Sequence, residues 1–395
     1  MTSNEHWLLP QGIEEALPEQ AARLECLRRN LLDLYASWGY EMVVPPFIDH
    51  IESLLTGTGR DLDLQTFKFV DQLSGRTLGI RADMTPQVAR IDAHQLKNEV
   101  PTRLCYIGTV LRTRSDSFGS SRSPLQVGAE LYGHAGVESD AEILDLMLKT
   151  FDVAGVNDIY LDVGNVDIFR CLANSAGLEN DDETRLFELL QQKAVTEITQ
   201  LVSGLSIDKN IAKHIIQLST FNGDVSTLET ARKQLSKAGD CVLSALSHLE
   251  AVVTKVLKQN KNLNVNIDLA ELHGYHYHTG VVFGAFVPQL GQEIARGGRY
   301  DDIGEVFGRA RAATGFSTDL KQLADLSSCE LHSPVRVLAP AIDDDALQAK
   351  IDTLRAEGYS VCKALPGQVE DYAAMNCTQK LEQINGQWQL AAIES

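Results

Sequence analysis

The sequence predicts an α+β fold: an antiparallel sheet with surrounding helices, a helical insertion and a small C-terminal α/β unit. Three observations predict it. Strand-like stretches stand on both sides of a long helical block, neighbouring strands follow a mostly hairpin order, and beyond residue 334 the text restarts as strand, helix, strand. With 395 residues the chain can bury one large core and a second, smaller one. The expected divisions are a core over 1–326, holding the insertion at about 167–258, and a C-terminal unit over 334–395.

Each element has a local reason. Residues 18–38 read as a helix because Leu24, Leu27, Leu31, Leu34 and Trp38 recur at three-to-four spacing, and Gly39 follows as a stop. Residues 42–47 form a short apolar strand that Pro45 and Pro46 restrict to an edge or an end. Residues 66–70 and 77–81 flank Ser74-Gly75 as a hairpin. Thr85-Pro86 opens a helix, with Thr as N-cap and Pro at the first helical position. Strands follow near 103–112 and 126–133, and Ser139-Asp140-Ala141-Glu142 reads as a capping box. From 167 to about 258 apolar residues keep helical spacing, with breaks at Gly177, Ser203-Gly204 and Asn222-Gly223. Strand patterns return at 265–269, 280–287 and 293–296, and a helix is expected over 317–323. In the last unit, 335–339 and 359–364 are strands around a helix at 344–357, and Asn385-Gly386 closes a hairpin.

Composition narrows the function. No run of about eighteen apolar residues exists, so no membrane span is expected. The first residues lack the basic and apolar regions of a secretory signal. A net charge of −19 without a cluster of four basic residues opposes long-range attraction to a polyanion, so no nucleic-acid partner is expected. Seven scattered cysteines without Cys-x-x-Cys suggest neither a disulfide framework nor a thiolate metal site, and a reducing cytoplasm fits best.

One set of polar residues carries chemistry. Gln126, Gly128 and Glu130 fall on one face of a strand, with Gly128 leaving space between two polar side chains. Asp83 and Glu130 can accept from an ammonium or a ring N–H, Gln126 can donate or accept, and Arg112 can take a carboxylate as a charge-assisted pair. A free amino acid offers those groups, and histidine adds two ring nitrogens. Alone, such a strand also describes a polar surface.

Its neighbours give it context. The run Pro101-Thr102-Arg103-Leu104-Cys105-Tyr106-Ile107-Gly108, then Leu111-Arg112-Thr113-Arg114, then Leu125-Gln126-Val127-Gly128-Ala129-Glu130, and finally Gly297-Gly298-Arg299-Tyr300-Asp301 resembles the core of class II aminoacyl-tRNA synthetases of the histidyl type. The resemblance covers roughly residues 9–326, with several motifs in the family's order. It implies a class II synthetase-like sheet, a homodimer through the first motif at 23–46, and a histidine pocket of Asp83, Thr85, Arg112, Gln126, Glu130, Tyr277 and Tyr300. The segment 272–280 resembles the one that closes over the amino acid.

The departures concern ATP. Arg114 stands where the family has an adenine-reading Glu, Gln322 where it has a phosphate-holding Arg, and His273 where it has an Arg needed for activation. Losing one preorganised donor typically costs about 3 kcal/mol of transition-state stabilisation, so no catalytic residue is assigned. A kept pocket without its chemistry resembles the regulatory subunits of ATP phosphoribosyltransferase, a family of histidyl-tRNA synthetase paralogues. That resemblance implies a non-catalytic chain that joins a short-form catalytic subunit as a hetero-oligomer, a hetero-octamer in that family. It serves the first step of histidine biosynthesis, with L-histidine as feedback effector. The residues leave a second reading open, a working synthetase or an RNA-binding relative with unusual motifs.

Two further features carry less. His273, His276 and His278 are close in sequence, but in an extended segment His273 points away from the other two, so no metal is assigned. Gly57-Thr58-Gly59-Arg60 lacks the ending of a phosphate-binding loop and reads as a turn or a mobile edge of the pocket. No cofactor is expected.

Overall fold

The computed structural model describes residues 7–55, 60–115, 121–271, 277–327, 335–369 and 371–393. The chain divides into two compact units, Met1–Cys329 and Glu330–Ser395.

In the first unit α1 (Pro18–Ser37) leads to β1 (Glu41–Met42), β2 (Ile48–His50), α2 (Ile51–Leu55), α3 (Arg60–Gln65), β3 (Phe67–Val70), β4 (Thr77–Ile80) and α4 (Thr85–Arg90). Next come β5 (Thr102–Thr109), β6 (Leu125–Tyr132), α5 (Val137–Ala154) and β7 (Tyr160–Asn165). The helical block is α6 (Val166–Ala176), α7 (Asn180–Gln191), α8 (Val195–Gly204), α9 (Lys209–Leu218), α10 (Ser226–Gln234) and α11 (Asp240–Gln259), with the two-residue β8 (Asn222–Gly223) inside it. The unit closes with β9 (Asn264–Asp268), β10 (Val281–Phe286), β11 (Glu293–Arg299), β12 (Ala313–Asp319) and α12 (Leu320–Leu326).

Among the described residues the main sheet runs β1-β5-β6-β12-β11-β10-β7-β9-β8. Its centre is antiparallel, from β5 to β7. Both flanks add parallel pairs, β1 with β5 and β7 with β9, so the sheet is mixed rather than purely antiparallel. Strand parity divides the sheet into two faces. Cys105, Ile107, Val127, Ala129 and Leu131 join the large core under α1 and α5, where Tyr35 meets Phe316 edge to face at 6.3 Å. Leu104, Tyr106, Tyr132 and Tyr300 pack on the opposite face with Met84 and Val88. Burying both faces explains why β6 reads as a nearly continuous buried run.

The second unit has β13 (Arg336–Ala339), α13 (Asp345–Ala356), β14 (Ser360–Lys363), β15 (Gln379–Ile384) and β16 (Gln387–Ala392), ordered β14-β13-β15-β16. Asn385 (φ 50°) and Gly386 (φ 76°) supply the two left-handed residues that a two-residue hairpin requires. Leu347, Ile351 and Leu354 of α13 pack on Val337 and Leu381.

Several local expectations are corrected. Of the strand expected over 42–47 only Met42, in β1, is in a strand, and β2 starts beyond it at Ile48; between them the Pro45 and Pro46 carbonyls accept from Arg81 (2.7 Å) and Gln87 (3.0 Å). Thr85 is the first residue of α4, not its cap: the Asp83 carboxylate accepts from the Thr85 N–H at 3.0 Å and frees the Thr85 hydroxyl for Tyr106. The capping box fails because α5 starts three residues earlier than Ser139 suggests, from an extended Gly136, and Glu142 binds Arg103 at 2.6 Å instead. Ser317 to Asp319 extend β12 against β6, down to the Asp319–Gln126 pair, and the helix begins at Leu320 with Asp319 accepting from Lys321 N–H at 3.0 Å. Cys171 and Cys241 form a disulfide between α6 and α11, which the odd count and scattered spacing of cysteines did not suggest.

Candidate functional site

The second face of the sheet opens into a cleft of about 740 Å³. Asp83, Arg112 and Gln126 line it, with His278, Phe283, Arg296 and Asp319. The loop between β4 and α4 brings Asp83 over the end of β6. Gln126 donates to Asp83 at 2.8 Å and accepts from the Met84 N–H at 2.9 Å, so one buried side-chain amide fixes the whole loop. Arg112 Nε donates to the Ala82 carbonyl at 3.3 Å, which holds the guanidinium at the cleft wall.

Glu130, Tyr277 and Tyr300 lie behind that wall. Glu130 is 1% exposed. Tyr106 donates to one carboxylate oxygen at 2.9 Å and Tyr300 donates to the other. Thr85 joins through the Tyr106 hydroxyl at 3.2 Å. Burial pushes the Glu130 carboxyl up to about 8, against the pull of the two tyrosine hydrogen bonds and with further help from Asp83. Tyr277 stacks on Tyr300 with 5.1 Å between ring centroids, and among the described residues its buried hydroxyl has no hydrogen-bond partner.

Across the strands the sheet narrows to backbone beside Glu130. Glu130 pairs with Leu104 on one side and with Gly315 on the other, and Gly315 pairs with Gly298. A Cβ on Gly315 would fall on the Glu130 carboxylate, and one on Gly298 would meet the His278 ring at 2.9 Å. The space that each glycine leaves is therefore already filled, that of Gly315 by the Glu130 carboxylate and that of Gly298 by the His278 ring.

All seven residues singled out in the sequence belong to this one neighbourhood, but only Asp83, Arg112 and Gln126 line the open cleft. Sequence reasoning gave no role to Tyr106, Gly298 or Gly315. The cross-strand partner of Gly128 is Tyr106, whose hydroxyl lies over that glycine, so the space that Gly128 leaves already has an occupant. Pairing register, invisible in a single strand, was the missing signal.

The ATP-facing positions look different. Gln322 lines the cleft, Lys321 donates to the Ser123 carbonyl at 2.8 Å, and exposed Arg114 is not part of the wall. Asp162, Glu271, Glu293, Asp319 and Asp325 oppose Arg112, Arg296 and Lys321 around that lobe, a lining poorly suited to a triphosphate. His273, His276 and the Gly57–Gly59 run lie outside the described residues, as does most of the 272–280 segment.

Known proteins resemble the chain along its whole length. Residues 12–323 match the histidyl-tRNA synthetase family model, and residues 334–391 match that of the ATP phosphoribosyltransferase subunit HisZ C-terminal domain. An ATP phosphoribosyltransferase regulatory subunit of Thioalkalivibrio sulfidiphilus is 57% identical over 96% of this chain and 97% of its own. One from Methylococcus capsulatus is 53% identical over 100% and 98%. The solved structure of an ATP phosphoribosyltransferase regulatory subunit/histidyl-tRNA synthetase from Bacillus halodurans superposes with a TM-score of 0.81 at 26% identity, covering 94% of this chain and 96% of that one. A histidyl-tRNA synthetase from Nostoc shares the fold at a TM-score of 0.77 and 17% identity, over 98% of this chain and 97% of its own. A match to the synthetase family model over the core, a match to this C-terminal domain, and relatives that cover the whole chain place it in the family of ATP phosphoribosyltransferase regulatory subunits.

Proposed function

We propose that the chain is the histidine-responsive, non-catalytic subunit of an ATP phosphoribosyltransferase complex. Its partner is a separate short-form catalytic phosphoribosyltransferase subunit, and L-histidine is the effector. The ligand's ammonium sits at Asp83, Gln126 and Thr85, its carboxylate at Arg112, and its ring points toward Glu130, Tyr277 and Tyr300 behind the cleft wall.

The observation that carries this reading is Glu130. The Glu130 carboxyl is buried between two tyrosine donors and raised to about 8, it lies close to a Tyr277 hydroxyl that has no partner among the described residues, and a ligand with ring N–H groups would engage both. The acidic ATP lobe favours this over a working synthetase. For the subunit itself, the edge strand β1 and the residues after it expose Met42, Val44, Phe47 and Ile48, an apolar strip that supports a homodimer within a larger assembly, a hetero-octamer by the family resemblance.

The test is calorimetric titration of the full chain with L-histidine, repeated on Glu130→Ala. The expected result is binding by the parent and a loss of more than tenfold in the variant. Equal affinity in the two would refute the site.

A further inference from the structure

The strip from Tyr277 to Gly280 carries the aromatic rim of the candidate pocket, and five hydrogen bonds between described residues hold it. Three come from β11 and the residues after it. The Arg299 carbonyl accepts from the Thr279 N–H at 2.7 Å and lies 3.1 Å from His278 Nδ1, and the Asp301 N–H donates to the Thr279 hydroxyl at 2.8 Å. The other two come from α6, the first helix of the insertion. Arg170 donates to the His278 carbonyl at 2.8 Å, and the Val166 N–H donates to the Gly280 carbonyl at 2.9 Å.

The insertion reaches the same strip by a second route. Arg299, 4% exposed, pairs with Asp140 of α5 at 2.8 Å and with Asp301 at 3.0 Å. His248 of α11, the last helix of the insertion, lies 2.7 Å from the other Asp140 oxygen. Arg170 is itself steadied by Asp167 at 2.9 Å. The first and last helices of the insertion are joined to each other by the Cys171–Cys241 disulfide and by the Asn165 side chain donating to the Ala245 carbonyl at 3.1 Å. Arg299 is shared between the fully buried Asp140 and Asp301, and His248 completes the partners of the Asp140 carboxylate. The arrangement supplies a rigid path from two insertion helices to the backbone under Tyr277.

We propose that Arg170 and His248 are positioning residues that couple the helical insertion to the effector pocket. The inference rests on the histidine-pocket reading above. Arg170 and His248 touch no ligand. They fix the strip that carries Tyr277, so a displacement of α6 and α11 changes the pocket's affinity. By reciprocity, filling the pocket changes the energy of displacing those helices. The insertion is then the element through which a second macromolecule and the amino acid influence each other.

The test is L-histidine titration of the full chain as parent, Arg170→Ala, His248→Ala and His248→Gln, each also combined with Tyr277→Phe. Arg170→Ala is expected to weaken binding roughly tenfold, the equivalent of one charge-assisted hydrogen bond. His248→Ala should weaken it severalfold. His248→Gln keeps a donor for Asp140 and should match the parent. In the Tyr277→Phe background both losses should shrink, because the residues act by placing the Tyr277 hydroxyl. Amide exchange of residues 278–280 should rise in Arg170→Ala even without histidine. A parent that binds histidine alongside an Arg170→Ala variant of equal affinity and equal exchange overturns the coupling alone. So do losses that add fully with Tyr277→Phe, the signature of general destabilisation. A parent that binds no histidine overturns the pocket reading and the coupling with it.

Discussion

Glu130 and Gly315 are direct cross-strand partners, and the glycine's missing side chain is the space that the Glu130 carboxylate occupies. The candidate pocket's buried acceptor therefore depends on a residue of the neighbouring strand that has no side chain at all. Gly315→Ala should displace the carboxylate from Tyr106 and Tyr300. Overpacking of this kind typically costs about 1–3 kcal/mol of stability. Histidine affinity should fall by more than tenfold, and thermal unfolding beside calorimetry separates the two effects. Unchanged binding in a folded Gly315→Ala variant would contradict the placement of the ring.

Tyr277→Phe gives the complementary case. Its hydroxyl has no partner among the described residues, so removing it should leave stability unchanged or slightly higher. If the hydroxyl meets the ligand ring, affinity should still drop by about 0.5–1.5 kcal/mol. Loss of stability without loss of affinity would reverse the assignment.

Glu130 predicts a pH dependence with a definite sign. Its carboxyl is raised from 4.5 to about 8 in the folded, empty protein, chiefly by burial. The stability linked to this group is complete below 4.5 and is lost as pH rises through about 8. Parent and Glu130→Gln denaturation curves should therefore diverge across that interval, with the parent losing stability relative to the variant. A ligand N–H donating to Glu130 favours its anion, so binding near neutral pH should release a fraction of a proton. Calorimetry in buffers of different ionisation enthalpy reads this release, and a heat independent of buffer in the parent would count against it.

The sequence showed the fold class, the helical block and the terminal hairpin because periodicity and turn chemistry are local. Asn385-Gly386 could be read without any knowledge of its neighbours. What was not legible depended on distant partners. Thr85 looked like a cap, yet Asp83 does the capping and Tyr106 takes the hydroxyl. Ser317 to Asp319 looked helical, yet the ladder with β6 keeps them extended. The seven candidate residues were nameable from a family resemblance, but their division between an open wall and a buried layer behind it follows from register and burial. Arg299 stood in a recognised motif, and nothing local linked it to Asp140 or His248.

The ATP lobe carries its own prediction. With Gln322 and Asp319 in its wall and carboxylates opposing few cations, the full chain should show neither histidine-dependent pyrophosphate exchange nor ATP binding at millimolar concentration. Exchange at a rate typical of synthetases would restore the enzyme reading.

On the proposed function, a pocket without chemistry controls the chemistry of another chain. The most direct measurement is phosphoribosyl transfer by the short catalytic subunit, alone and reconstituted with this chain, across a histidine titration. Allosteric coupling is typically about 1–3 kcal/mol, so histidine should inhibit the complex severalfold to a hundredfold, and Glu130→Ala in this chain should abolish that response. A catalytic subunit whose histidine response is the same with and without this chain, or a pair that forms no complex, would contradict the account.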